Sequence, residues 1–321
     1  MAEIGNDIQQ AAHFLKFSVV AIPTETVYGL AGNALDPNRV AEIFAVKKRP
    51  FFDPLILHVH SIAALEPLIS DFPIILRKLA ETFWPGPLTL LLPRKSVVPD
   101  LTCSGLPEAA FRIPNHPLTL QLLAETGFPL AAPSANPFGY VSPTNAQHVN
   151  DQLGLEIPYI LDGGPCTVGL ESTIVGLEDG IPTVFRLGGL SIDEIQSVIG
   201  EVKARVNQSS DPRAPGMLKS HYAPLKPLLV GDISSLFDQY EKEFPILVLF
   251  DQFIPNYPIE RQLLLSKNGS VVEAAANLFS VLRQADKLPG ELILAEAVPA
   301  VGLGIAINDR LKRAAFRTDS E

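Results

Sequence analysis

The chain has 321 residues, 47% of them hydrophobic, which is enough for a sizeable buried core and for two domains. A formal net charge of -10 excludes a protein that coats nucleic acid or anionic membrane through its overall field, while leaving room for a local cationic site. Its two cysteines, Cys103 and Cys166, form no Cys-x-x-Cys pair, so neither a zinc cluster nor a disulfide framework is indicated, and such usage suits a reducing compartment.

From the N-terminus, "MAEIGNDIQQ" shows neither a basic n-region nor an apolar h-region, and no uncharged apolar run reaches the ~18 residues of a membrane span, so a cytoplasmic protein is expected. Residues 6–16 carry apolar side chains at helical spacing and lead into a strand-like "FSVVAIP". The stretch that follows, "PTETVYGLAGNAL", has neither helical nor strand periodicity and reads as a hydroxyl-rich loop. Residues 34–46 read as a helix capped by Asp36 with Pro37 in its first turn. "PLILHVHS" is a short buried strand, on which His58 and His60 should share a face. "DFPIILRKLAETFWPGP" is a helix broken by its prolines, and "LTLLLP" a strand. "AAFRIPNHP" is a strand, "LTLQLLAETG" a helix closed by glycine, and "FPLAAPSANPFG" a strand running into a loop. "YILDGG", "ESTIVGLE" and "PTVFRLGG" read as strands, and "SIDEIQSVIG" as a capped helix. Several neighbouring strands lack a helix between them, so the sheet is expected to be mixed.

After Gly200 the texture changes. Residues 207–227 are rich in Pro, Ser and Lys and read as a linker. Beyond it, strand and helix alternate through "PLLVG", "DISSLFDQYEKE", "PILVLF", "RQLLLS", "SVVEAAANLFSVLRQADK", "ELILAEAV" and "LGIAINDRLKRAAF", the pattern of a small three-layer domain on a parallel sheet. The expected division is 1–206, a linker or lid at 207–227, and 228–321.

Five stretches carry candidate chemistry: Thr24 to Thr26 with Tyr28; Lys47, Lys48 and Arg49 with Asp53 and His58; Ser134, Asn136, Ser142 and Thr144; Glu171, Ser172 and Thr173; and Lys219, His221 and Tyr222. Hydroxyls and free backbone groups at strand ends are where α/β sheets bind ligands. A tribasic run ending a helix is by itself commonly a solvated, dipole-compensating end. There is no GxxxxGK[ST] and no GxGxxG. Cations Lys47, Arg49, Arg112 and Arg186 among Ser/Thr-rich loops of an acidic chain point to a phosphorylated or carboxylated small molecule.

Together, "PTETVYGL", "KKRP", "PLILHV", "FWPGPLTLLL", "FRIPNHP", "APSANPFGYVSPT", "LDGGPCTVGLESTIV" and "PGMLKSHYAP", in this order over residues 10–225, resemble the Sua5/YrdC family of threonylcarbamoyl-AMP synthases. The tail ending "INDRLKRAA" is similar to the Sua5-type C-terminal domain. The resemblance implies a YrdC-like mixed twisted sheet with helices around an open cleft, plus a smaller Rossmann-like α/β domain. It implies synthesis of L-threonylcarbamoyladenylate and pyrophosphate from L-threonine, bicarbonate or CO2, and ATP carrying Mg2+, for N6-threonylcarbamoylation of adenosine 37 in tRNA. It assigns Thr26, His58, Arg112, Ala132 and Ser172 to L-threonine, and Lys47, Arg49, Asp53, Ser134, Asn136, Ser142, Arg186 and Tyr222 to ATP, with Lys47 and Arg49 neutralising charge during the reaction. The protein itself is expected to supply no metal cage, and the product to pass to the tRNA threonylcarbamoyl-transfer machinery with at most transient tRNA contact. The C-terminal domain is expected to anchor the lid. Three departures from the family pattern stand out: Asp53 where Asn is usual, Glu108 in place of Thr and near the nucleotide, and "FRLGG" in place of "LRPG". The alternative is a YrdC-like RNA-binding or regulatory paralogue without synthase activity.

Overall fold

The computed structural model describes residues 1–205 and 221–316. The first unit contains β1 (Glu3–Gly5), α1 (Ile8–Leu15), β2 (Val20–Ile22), β3 (Gly29–Asn33), α2 (Pro37–Lys47), β4 (Ile56–His58), α3 (Ile74–Phe83) and β5 (Leu88–Pro93). It continues through α4 (Asp100–Cys103), β6 (Glu108–Arg112), α5 (Pro117–Thr126), β7 (Leu130–Ala131), α6 (Ala146–Leu153), β8 (Tyr159–Leu161), β9 (Thr173–Glu178), β10 (Ile181–Arg186), α7 (Ile192–Ile199) and β11 (Lys203–Ala204). The second unit contains β12 (Leu228–Gly231), α8 (Ile233–Tyr240), β13 (Ile246–Leu249), β14 (Gln262–Leu264), α9 (Val271–Lys287), β15 (Ile293–Glu296) and α10 (Leu303–Ala315).

All eleven strands to Ala204 form one sheet, in the order β1-β8-β2-β3-β7-β4-β6-β5-β9-β10-β11. It is mixed, as expected: β4 and β6 run parallel, while β2 and β3, and β5 and β6, are antiparallel. Local signals operate as read. Asp36 accepts from the Asn38 N–H and Pro37 opens α2, and Ser191 with Glu194 forms a capping box on α7.

The loop reading of "GLAGN" is overturned, because Gly29–Asn33 is a central strand returning antiparallel to β2. Its residues are small because the strand is crowded. A Cβ on Gly32 would come within 3.3 Å of Ile43 and Val19 side-chain atoms. His60 lies beyond the end of β4 and is exposed while His58 is buried, so the two do not share a face.

The second sheet, β12-β15-β13-β14, is entirely parallel. Alternation along β13 builds its three layers: Ile246 and Val248 pack with α9 and α10, Leu247 and Leu249 with α8. One apolar cluster continues from the first sheet through Tyr222 into Phe279, Leu278 and Ile307 of the second unit. Residues 207–220 of the expected linker lie outside the described residues. The part that follows is docked, with Ala223 N–H donating to Gly139 O at 2.9 Å and the Leu225 N–H to Asp286 at 2.9 Å.

Candidate active site

The sheet register assembles a cleft at strand ends. His58 ends β4 directly opposite Arg112, which ends β6. Ala132 N–H donates to Ile56 O at 3.0 Å, and Ser134 bridges to Gly29. Gly29 allows this approach, since a Cβ there would stand 3.1 Å from the Ala132 Cβ. Ser172 immediately precedes β9, whose Thr173 pairs with Leu88 of β5. A bulge between Val184 and Arg186 re-aims Arg186 toward the same opening. Thr26, Arg49, His58, Arg112, Ala132, Ser134, Ser172, Arg186 and Tyr222, nine of the expected residues, line this cleft together with Thr24, Glu171 and His221.

Arg112 is fixed on several sides. Its Nε donates to Gly86 O at 3.2 Å and its Nη1 to Thr26 Oγ1 at 2.8 Å, and Nη2 stands 2.8 Å from Glu25 Oε1. Glu25, buried with Arg112, was not singled out from sequence although it sits inside "PTETVYGL". Thr24 closes the turn by accepting from the Val27 N–H and donating to Val27 O. Burial, followed by the Arg112 charge, pushes the His58 imidazole down to about 3, so it is neutral at physiological pH.

The tribasic run is not a solvated end. Lys48 is exposed in a left-handed C-cap, but Lys47 and Arg49 are buried. Arg49 Nη2 pairs with Asp53 Oδ2 at 2.9 Å, and its Nε and Nη2 donate to Asp53 O and Pro54 O. Asp53, fully buried, therefore sits behind Arg49 and is not part of the cleft wall. Lys47 Nζ donates to Ser134 O and, at 2.6 Å, to Asn136 O, so it holds the Ser134 loop from beneath. Burial first, then the neighbouring Arg49 charge, lowers its pKa well below the usual lysine range. Asn136 braces that loop by donating to Pro137 O and Tyr140 O, each at 2.8 Å.

On the facing wall, Ser172 Oγ is 2.7 Å from Thr89 Oγ1 and accepts from Arg186 Nη2 at 3.0 Å. Ser142 Oγ donates to Glu171 Oε1 at 2.7 Å, so Ser142 reaches the cleft through Glu171. Tyr222 adopts a left-handed backbone, φ 67°, unusual for a bulky residue. Its ring stacks on Phe279 at 5.5 Å and lies 5.0 Å beneath the Arg310 guanidinium, both from the second unit. His221, beside it, is held well below the usual histidine range by burial and by Arg49 and Lys47. Four expected residues, Lys47, Asp53, Asn136 and Ser142, thus support the cleft rather than line it. Glu108 is not near the cleft cations either: it starts β6, at the end opposite Arg112, and pairs in register with Pro93. The second unit also does more than the expected anchoring of a lid. It touches the cleft wall itself through Arg310, whose Nε donates to Glu171 Oε2 at 3.1 Å.

Among the described residues, no helix is long and apolar enough to cross a membrane. A family model described as "Telomere recombination" matches residues 15–188, and one described as "Threonylcarbamoyl-AMP synthase, C-terminal domain" matches 190–316. The chain is 40% identical to a threonylcarbamoyl-AMP synthase of Pyrococcus abyssi, over 96% of its own length and 93% of that protein. It is 39% identical to one from Bacillus subtilis, over 96% and 92%. The crystal structure of P. abyssi Sua5 complexed with L-threonine superposes with a TM-score of 0.91 at 38% identity, covering 98% of this chain and 97% of that one. E. coli YciO, at 22% identity and TM-score 0.51, shares the fold over 59% of this chain. With motifs, register and both units matched along nearly the full length of these relatives, the chain belongs to the Sua5/YrdC family, in its long, two-domain Sua5 form.

Proposed function

We propose that the chain synthesises L-threonylcarbamoyladenylate from L-threonine, bicarbonate-derived CO2 and ATP, releasing pyrophosphate, in the service of tRNA modification. Relatives at 40% and 39% identity carry the name of this activity, and the similar P. abyssi structure holds L-threonine. The observation that carries the reading is the Arg112–Glu25 pair beside a neutral His58. A simple carboxylate would meet an already compensated arginine. An amino-acid zwitterion offers its carboxylate to Arg112 and its ammonium to Glu25, so each charge finds a partner. His58 and Ser172 suit the threonine hydroxyl, because they hydrogen-bond without adding charge, and Ala132 leaves space for its methyl.

The threonine amine must give up its proton before it captures CO2, and a carbamate oxygen then attacks the α-phosphorus as pyrophosphate leaves. Both partners are anionic, so the chain's task is to neutralise and align them, and no protein nucleophile is required. Arg49 and Arg186, held rigidly from behind, supply fixed positive charge, and Ser134 and Tyr222 complete the nucleotide's surroundings. Lys47 contributes by keeping the Ser134 loop in place. Among the described residues no three His, Cys, Asp or Glu side chains come together as a metal cage, and Asp53 and Glu171 are engaged by arginines. Mg2+ is accordingly assigned to the ATP triphosphate, where it offsets phosphate charge. We further propose a cytoplasmic setting, the domain division at 206 and 228, and transfer of the labile adenylate to a tRNA-modifying partner.

The test is product identification. Incubation with ATP, Mg2+, L-threonine and 13C-bicarbonate should yield an adenylate bearing both threonine and the labelled carbon by mass spectrometry. A chain that binds threonine and ATP yet forms no labelled adenylate is a binder, and the synthase reading fails.

A further inference from the structure

Arg310 has no part in the reaction as described, yet it is the largest completely buried side chain of the protein and reaches the cleft from the other unit. It extends from α10, with Nε donating to Glu171 Oε2 at 3.1 Å, Nη2 to Leu187 O at 2.6 Å and Nη1 to Asp309 Oδ2 at 2.8 Å. Its guanidinium also covers the Tyr222 ring at 5.0 Å. Glu171 and Tyr222 both line the cleft.

Glu171 poses an electrostatic problem. It is a carboxylate, 7% exposed, on the wall of a cleft whose proposed ligand carries a triphosphate. Little water screens it there, and like charge opposes the nucleotide. The other groups that act on it are Ser142, which donates a neutral hydrogen bond to Oε1, and Arg186 of β10. If Arg186 were drawn to Glu171, one of the cations proposed for the phosphates would be diverted.

We propose that Arg310 is a positioning residue for nucleotide binding: by compensating Glu171 and clamping Tyr222, the second unit removes a negative charge from the cleft and leaves Arg186 directed at the phosphates. The inference rests on the proposed use of ATP. It gives α10 a role in substrate affinity. The closeness of Arg310 to Glu171 is the contact between units that reaches farthest into the cleft wall, and a docking contact alone would need no charge there.

Calorimetric titration of the full-length chain with Mg·ATP tests this. Arg310→Met should weaken ATP binding by about tenfold or more, as an uncompensated buried carboxylate requires, while the L-threonine Kd stays within about twofold. Arg310→Lys keeps the charge without the fork and should retain most of the affinity. The decisive variant is Arg310→Met/Glu171→Gln, which removes the carboxylate's charge together with its partner. It should bind ATP within about threefold of the unaltered chain. The double variant also covers the case in which Arg310→Met fails to fold, since it leaves no buried unpaired charge. Unchanged ATP affinity in Arg310→Met overturns the proposal. So does a double variant no better than Arg310→Met, which would make Arg310 a matter of packing alone. An unaltered chain that binds Mg·ATP but releases no pyrophosphate refutes the synthase reading and leaves this comparison intact, whereas one that binds no ATP refutes both.

Discussion

Arg112 shows how much one side chain can be asked to do. Its three printed partners, Gly86 O, Thr26 Oγ1 and Glu25, fix the fork before any substrate arrives. Arg112→Ala should therefore abolish detectable threonine binding in calorimetry. It should also cost about 3–5 kcal/mol of stability, because Glu25 is left buried and uncompensated. Glu25→Gln separates the two effects. It should weaken threonine binding by about tenfold, the loss of one charged partner, with a smaller change in denaturation midpoint. Tighter threonine binding in Glu25→Gln would mean that Glu25 only competes with the substrate for Arg112. Sequence made Arg112 legible, because a guanidinium after an apolar strand has few other uses. Glu25 was not, since nothing along the chain places it next to a residue 87 positions away. The same limit explains Lys47 and Arg49: spacing marks a helix end, and only the packed loops above it reveal that these cations are buried.

Among the elements, those with clear periodicity or caps, such as α2, α7 and all seven of the second unit, were readable in advance. β3 was missed because a strand buried on both faces against close neighbours uses Gly and Ala, which have little strand propensity of their own. A related constraint joins the two units. Gly169 has φ 72°, and a Cβ there would come within 2.5 Å of the Ala276 Cα on α9. Gly169→Ala should thus cost at least about 2 kcal/mol in urea denaturation, through backbone strain and a displaced α9. Little or no loss would show that α9 does not pack on this loop in solution. Where the glycine lies was plain in the sequence; that it faces another domain was not.

At the scale of the molecule, a single apolar cluster spans both sheets, and buried histidines sit near its cations. We expect one cooperative unfolding transition rather than two, checked by calorimetric scanning. The pH dependence has a definite sign. His58, held at about 3, and His221, also lowered, stay neutral when folded, while an unfolded histidine takes up a proton near 6.5. Their contribution is complete above pH 6.5 and is lost as pH falls, at about 1.4 kcal/mol per pH unit for each. Urea midpoints at pH 7.5, 6.5 and 5.5 should show little change over the first interval and a clear drop over the second. A flat profile would place protonated histidines in the folded protein.

The measurement that bears most directly on the whole account is pyrophosphate release from Mg·ATP in bicarbonate, with and without L-threonine, with L-serine as competitor and Arg112→Ala alongside. The account predicts release that requires threonine, prefers it to serine, and disappears in Arg112→Ala. Release that is indifferent to the amino acid, or that survives without Arg112, would contradict the site assembled here around the ends of β4 and β6.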